Sequence, residues 1–65
     1  MIEKAIRLHN NLVMVFDENG EQLAEYQGHY NDVKWHIITS ASSLTQFFHW
    51  PDKAAGPRSV PPEHW

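Results

Sequence analysis

Between Leu12 and Leu23 the chain reads Leu-Val-Met-Val-Phe-Asp-Glu-Asn-Gly-Glu-Gln-Leu, an apolar run, a reversal and a second, more polar run. Asp favours the start of a turn, and Gly20 accepts positive φ without a Cβ clash, so the chain reverses here as a β-hairpin. The spacing pairs Asp17 with Glu21 around the three-residue loop Glu18-Asn19-Gly20, with Gly20 at the bulge position. Counting outward, Phe16 faces Gln22, Val15 faces Leu23, Met14 faces Ala24, Val13 faces Glu25 and Leu12 faces Tyr26. Side chains alternate across a sheet, which places Leu12, Met14, Phe16, Ala24 and Tyr26 on one face, read as the core. Val13, Val15, Leu23 and Glu25 take the other, which is too apolar to be left in water and is to be covered by the N-terminal segment, by the C-terminal tail or by a partner.

After Gly28 the period changes. Tyr30, Val33, Ile37 and Ala41 recur at helical spacing with Ile38 beside them, and Asp32 suits the positive end of the helix dipole. Trp35 falls on the shoulder of that stripe, half exposed. Leu44–Trp50 is aromatic and β-favouring, and Pro51 closes it as a strand. Residues 1–10 are ambiguous: Ile2, Ala5 and Ile6 fit a short helix, whereas Ile6 and Leu8 alternate with Arg7 and His9. An extended segment is favoured, continuous with the first hairpin strand or folded back on it through Asn10-Asn11. The expected architecture is α+β, a ββαβ sheet of order 2-1-3 with one helix on one face and room for an extra N-terminal strand. Residues 1–50 form the domain. Residues 51–65, rich in proline and without apolar periodicity, are expected to be a mobile tail.

A chain of 65 residues has little core to spare, and without cysteine it has neither disulfides nor thiolate zinc sites to reinforce it. Hydrophobic content of 42% with 20% charged residues is that of a globular domain, not a disordered one. The net charge of -3 and the scatter of Lys4, Arg7, Lys34, Lys53 and Arg58 disfavour nucleic-acid binding unless Arg7, Lys34 and Lys4 converge in space. In that third-ranked reading Trp35, Phe47 and Trp50 would be stacking platforms for an accessory protein. No apolar run is long enough to span a bilayer, and Met1–Ala5 lacks the basic head of a secretory signal, so a cytoplasmic protein is expected.

Catalysis finds no seat. Ser40, Ser42, Ser43 and Ser59 lie in no strand-turn-helix nucleophile setting, and Asp17, Glu18 and Glu21 serve an exposed turn rather than a cleft. Gly20 and Gly28 make no phosphate-cradling loop. His29, Asp32 and His36 share a helix face and could hold zinc or nickel, but paired ligand spacing is missing, and a solvated face with Asp32 beside His36 explains them as well. No cofactor is expected. His9, His49 and His64 stand alone. Phe47 and Phe48 must point to opposite faces, one into the core and the other onto the uncovered face. The expected function is therefore binding rather than catalysis, as a homodimer or with another protein, through Val13, Val15, Leu23, Trp35, Phe47 and Trp50.

The run from Val15 to Tyr30, followed by a helix and Phe47-Phe48-His49-Trp50, resembles short bacterial proteins without an assigned function. The likeness of element order covers about the middle two-thirds of the chain. It implies a cytoplasmic protein of prokaryotic or phage-type origin, and it brings no catalytic residues.

Overall fold

Two three-residue reversals organise the chain. The computed structural model describes residues 1–65. Strand β1 (Ile2–Leu8) turns through His9-Asn10-Asn11 into β2 (Leu12–Asp17), and β2 turns through Glu18-Asn19-Gly20. The third loop residue is left-handed in both, Asn11 at φ 65° and Gly20 at φ 82°. Asn11 N donates to Leu8 O and Gly20 N to Asp17 O, each at 3.0 Å. Asp17 Oδ1 fixes the second loop by accepting from Asn19 N and Glu21 N, both at 2.9 Å. Asn and Gly tolerate this backbone where a β-branched residue would not.

The second reversal begins in the expected register, with Asp17 N bonded to Glu21 O, Phe16 opposite Gln22, and Leu23 N bonded to Val15 O. It then departs from it. Ala24–Tyr26 winds into a 3-10 turn, and the chain returns as the two-residue strand β3 (Gly28–His29) opposite Val13 and Leu12. Val13 thus faces Gly28 and not Glu25, and Leu12 faces His29 and not Tyr26. Ala and Glu have little preference for a strand. Gln27 Oε1 accepts from Val15 N at 3.4 Å, covering a donor that the excursion leaves unpaired.

Helix α1 (Tyr30–Ser40) follows, then β4 (Gln46–Trp50), β5 (Arg58–Val60) and a closing 3-10 turn, Pro62–His64. The sheet has the order β3-β2-β1-β4-β5, with β1 and β4 parallel and the other neighbours antiparallel. The class is α+β, but the ββαβ order 2-1-3 gives way to a five-stranded mixed sheet whose centre is the N-terminal strand. A register shift between Ile2 and Lys4 bulges β1, so Ile2 and Ala5 are both buried despite their odd spacing. That bulge produced the helix-like spacing of Ile2, Ala5 and Ile6.

The core contains Ile2, Ala5, Val13, Val15, Tyr30, Ile37, Phe47 and Trp65. The helix therefore covers the face of Val13 and Val15, the reverse of the assignment that put Leu12, Met14, Phe16, Ala24 and Tyr26 inside. Both faces of β2 are apolar, so alternation alone does not choose between them. Tyr30 N donates to Asn11 O at 2.8 Å, which fixes the helix start beside the β1–β2 turn. Thr45 ties the far end, donating from Oγ1 to Ile2 O while accepting from Ser42 N at 3.0 Å.

Residues 51–65 belong to the folded unit, which corrects the expected tail. β5 pairs with β4, Val60 opposite Phe47, and Trp65 is 2% exposed. The Trp65 ring packs 5.0 Å from Phe47 and 5.4 Å from Tyr30, and its Nε1–H donates to Phe48 O at 3.1 Å. Five prolines and glycines between Pro51 and Pro62 shape the return; they do not prevent it.

Candidate functional site

One sheet face has no layer over it. Strand pairing sets Met14, Ile6 and Phe48 side by side across β2, β1 and β4, with Phe16, Lys4 and Gln46 in the row on one side. On the other side Leu8 lies beside Trp50, and alternation brings Leu12 of β2 to the same face. Seven large apolar side chains, Ile6, Leu8, Leu12, Met14, Phe16, Phe48 and Trp50, thus share it, each half-buried among its neighbours and none as exposed as Trp35 or Leu44. At one end Glu3, Lys4, Ile6, Phe16 and Asp17 border a shallow depression of about 290 Å³.

The sheet edges are poor places for association. β3 has two residues, and β5 has three, with Pro57 before it and Pro61 after it. Edges this short, one of them flanked by proline, present too few free N–H and C=O groups to template another strand. An incoming surface meets the flat face instead.

The residues expected to bind a partner are separated by this geometry. Val13, Val15 and Phe47 lie in the core beneath the helix, and Leu23 packs against that core. They form no free surface. Trp50 stays on the uncovered face, and Phe48 takes the place given to Phe47. Trp35, 69% exposed rather than half exposed, sits on the far side of the sheet with the helix. The uncovered face was expected to exist, but its residues were assigned from the wrong parity of β2. Alternation of Ile6 and Leu8 in β1 was the one sequence signal for it.

Nor do the histidines assemble. No three His, Asp or Glu side chains gather where they could hold a metal ion, so His29, Asp32 and His36 make no metal centre. His36 stacks on Tyr26 with ring centroids 4.6 Å apart. His49 instead bonds through Nε2 to the Trp65 main-chain oxygen at 3.0 Å. Of the three cations whose convergence would favour nucleic acid, Arg7 and Lys34 meet at Tyr30, whereas Lys4 lies on the uncovered face. Phe47, being buried, offers no stacking platform. No helix is long and apolar enough to cross a membrane. Set against protein-family models, curated proteins and solved structures, the chain shows no significant match to any.

Proposed function

We propose that this protein is a non-enzymatic binding module that works through its uncovered sheet face, and that the occupant of that face is a second copy of the chain. The observation that carries the reading is the block of seven apolar side chains on three adjacent strands, opposite the only helix. Contiguous exposed apolar patches mark interaction surfaces. A face-to-face pairing of two such sheets would interleave their side chains at a spacing of about 10 Å, as in β-sandwiches.

Three features favour a second copy. The edges are blunted, so pairing through the face remains. The rim carries both signs of charge, Lys4 and Glu3, so a two-fold pairing that set Lys4 of one copy against Glu3 of the other would make that contact twice. The chain also buries only eight apolar residues of its own, and a second layer would complete a two-sided core.

The patch is small, and this sets the strength. Three strands about 4.8 Å apart, each contributing five residues at about 3.3 Å, give a footprint of roughly 14 by 17 Å. This falls well short of the roughly 800 Å² per partner typical of stable complexes, so the association should be weak and concentration-dependent. The test is Phe48→Lys and Met14→Lys, each compared with the parent by light scattering at matched high concentration. Both variants should keep the parent's circular dichroism and scatter as monomers while the parent scatters as a dimer. Parent and variants of equal mass would refute the proposal.

A further inference from the structure

On the helix side of the sheet, away from the face just described, Arg7, Tyr30, Lys34, Trp35, Glu63 and Trp65 border a groove of about 540 Å³. This lies in the range of about 300–1,000 Å³ that accommodates small-molecule ligands. Arg7 is held in place on its border. Its Nε donates to Asn11 Oδ1 at 3.0 Å, its Nη1 to the Trp65 main-chain oxygen at 3.2 Å, and its guanidinium carbon lies 3.6 Å from the Tyr30 ring centroid. A guanidinium has five N–H donors, and these two bonds leave the others free.

A second cation shares that ring. Lys34 Nζ lies 5.2 Å from the Tyr30 centroid and 5.2 Å from the Trp35 centroid. Adding 3.6 and 5.2 Å, the two charges stand no more than 8.8 Å apart. Lys34 forms no ion pair, and Arg7, which meets no Asp or Glu, is partnered by the Trp65 main-chain oxygen and Asn11 Oδ1 and keeps its remaining N–H groups for a ligand. Two like charges held beside one aromatic ring repel each other, and an oxyanion between them would relieve the repulsion through charge-assisted hydrogen bonds. Trp35, 69% exposed, leaves an indole available beside Lys34 on the border of the same groove.

We infer that this groove binds a small ligand joining a planar aromatic ring to one oxyanion, of the size of a mononucleotide or a simpler aryl phosphate. The ring stacks on the Trp35 indole, and the oxyanion lies between Lys34 Nζ and the free N–H groups of Arg7. Stacking on an indole tolerates any planar ring, so the cations select for the anion and not for one base. Glu63 borders the groove and opposes an anion, which limits affinity.

The test is titration of the protein with AMP and with phenyl phosphate, following by NMR the main-chain amide resonances of the residues that border the groove, which persist in every variant. Inorganic phosphate and adenosine serve as separate arms. At least one aromatic phosphate should saturate the signal, about tenfold more tightly than phosphate or adenosine alone. Lys34→Gln and Trp35→Ala should each weaken it about tenfold, the loss expected for one charged hydrogen bond or one stacked ring. Glu63→Gln should tighten it a few-fold. Trp35 and Glu63 are exposed and Lys34 is half-buried, and circular dichroism checks that the fold persists in each variant. The inference is overturned if neither aromatic phosphate saturates at millimolar concentration, or if binding is indifferent to Lys34→Gln and Trp35→Ala. A monomeric protein that binds, or a dimer that does not, separates this inference from self-association.

Discussion

Removing the Trp65 side chain probes how far the last fifteen residues hold the domain together. The ring is 2% exposed, lies against Phe47 and Tyr30, and donates Nε1–H to Phe48 O. Trp65→Ala deletes the largest side chain of the core, a class of change that costs about 3–5 kcal/mol. It also strips a partner from the Phe48 carbonyl, which adds about 1 kcal/mol where water cannot replace it. A domain of 65 residues is stable by roughly 3–10 kcal/mol in total. Trp65→Ala should therefore remove about 4–6 kcal/mol, which lowers the urea midpoint steeply and unfolds the chain outright if its total lies in the lower half of that range. Trp65→Phe keeps a ring near Phe47 and Tyr30 but lacks the donor, and should cost about 1–2 kcal/mol. Far-UV circular dichroism in urea is the appropriate assay, since fluorescence would lose a reporter with the residue. If Trp65→Ala unfolds within about 0.5 kcal/mol of the parent, the C-terminal segment does not belong to the core and the packing described here is refuted.

Three further outcomes follow. Gly20→Val should cost about 1–2 kcal/mol through its φ of 82° alone, because open space surrounds the position where a Cβ would sit; an unchanged melting temperature would reject the turn. Thr45→Val, which removes the hydroxyl between Ile2 O and Ser42 N, should cost about 1–3 kcal/mol by urea titration, whereas Thr45→Ser should retain most of that; equal losses would show that the hydroxyl contributes nothing. Val15→Lys and Met14→Lys, adjacent on β2, should separate sharply: a cation at fully buried Val15 should cost more than about 3 kcal/mol, and one at Met14 less than about 1. Similar midpoints would mean that the helix does not choose the Val15 face.

How much of this was legible in the sequence depends on which interactions are local. The Asp17–Gly20 turn and the Tyr30–Ala41 stripe are written in neighbouring residues, and both appear where the pattern put them. The pairing of Asp17 with Glu21 and of Phe16 with Gln22 also holds, because the loop length dictates it. Parity was not legible. β2 is apolar on both sides, so the face that the helix covers is decided by where Tyr30 docks on Asn11, a contact between segments far apart in the pattern. The N-terminal strand was obscured by its own bulge, which spaces Ile2 and Ala5 as a helix would. Trp65 was missed because proline and glycine conceal a strand of only three residues, and a single buried ring leaves no periodicity to find. The uncovered face followed from topology, one helix for one sheet, even while its residues were misassigned. The Arg7–Tyr30–Lys34 convergence joins the first strand to the helix and has no signature in spacing.

Sedimentation equilibrium of the unmodified chain, from about 10 to 500 µM, measures the central claim most directly. The account predicts a monomer at the low end and a rising dimer fraction toward the high end, reversible on dilution. Met14→Lys should abolish that rise without unfolding the protein. A single monomeric species across the whole range would contradict the claim that the face of Ile6, Met14 and Phe48 pairs with its own copy.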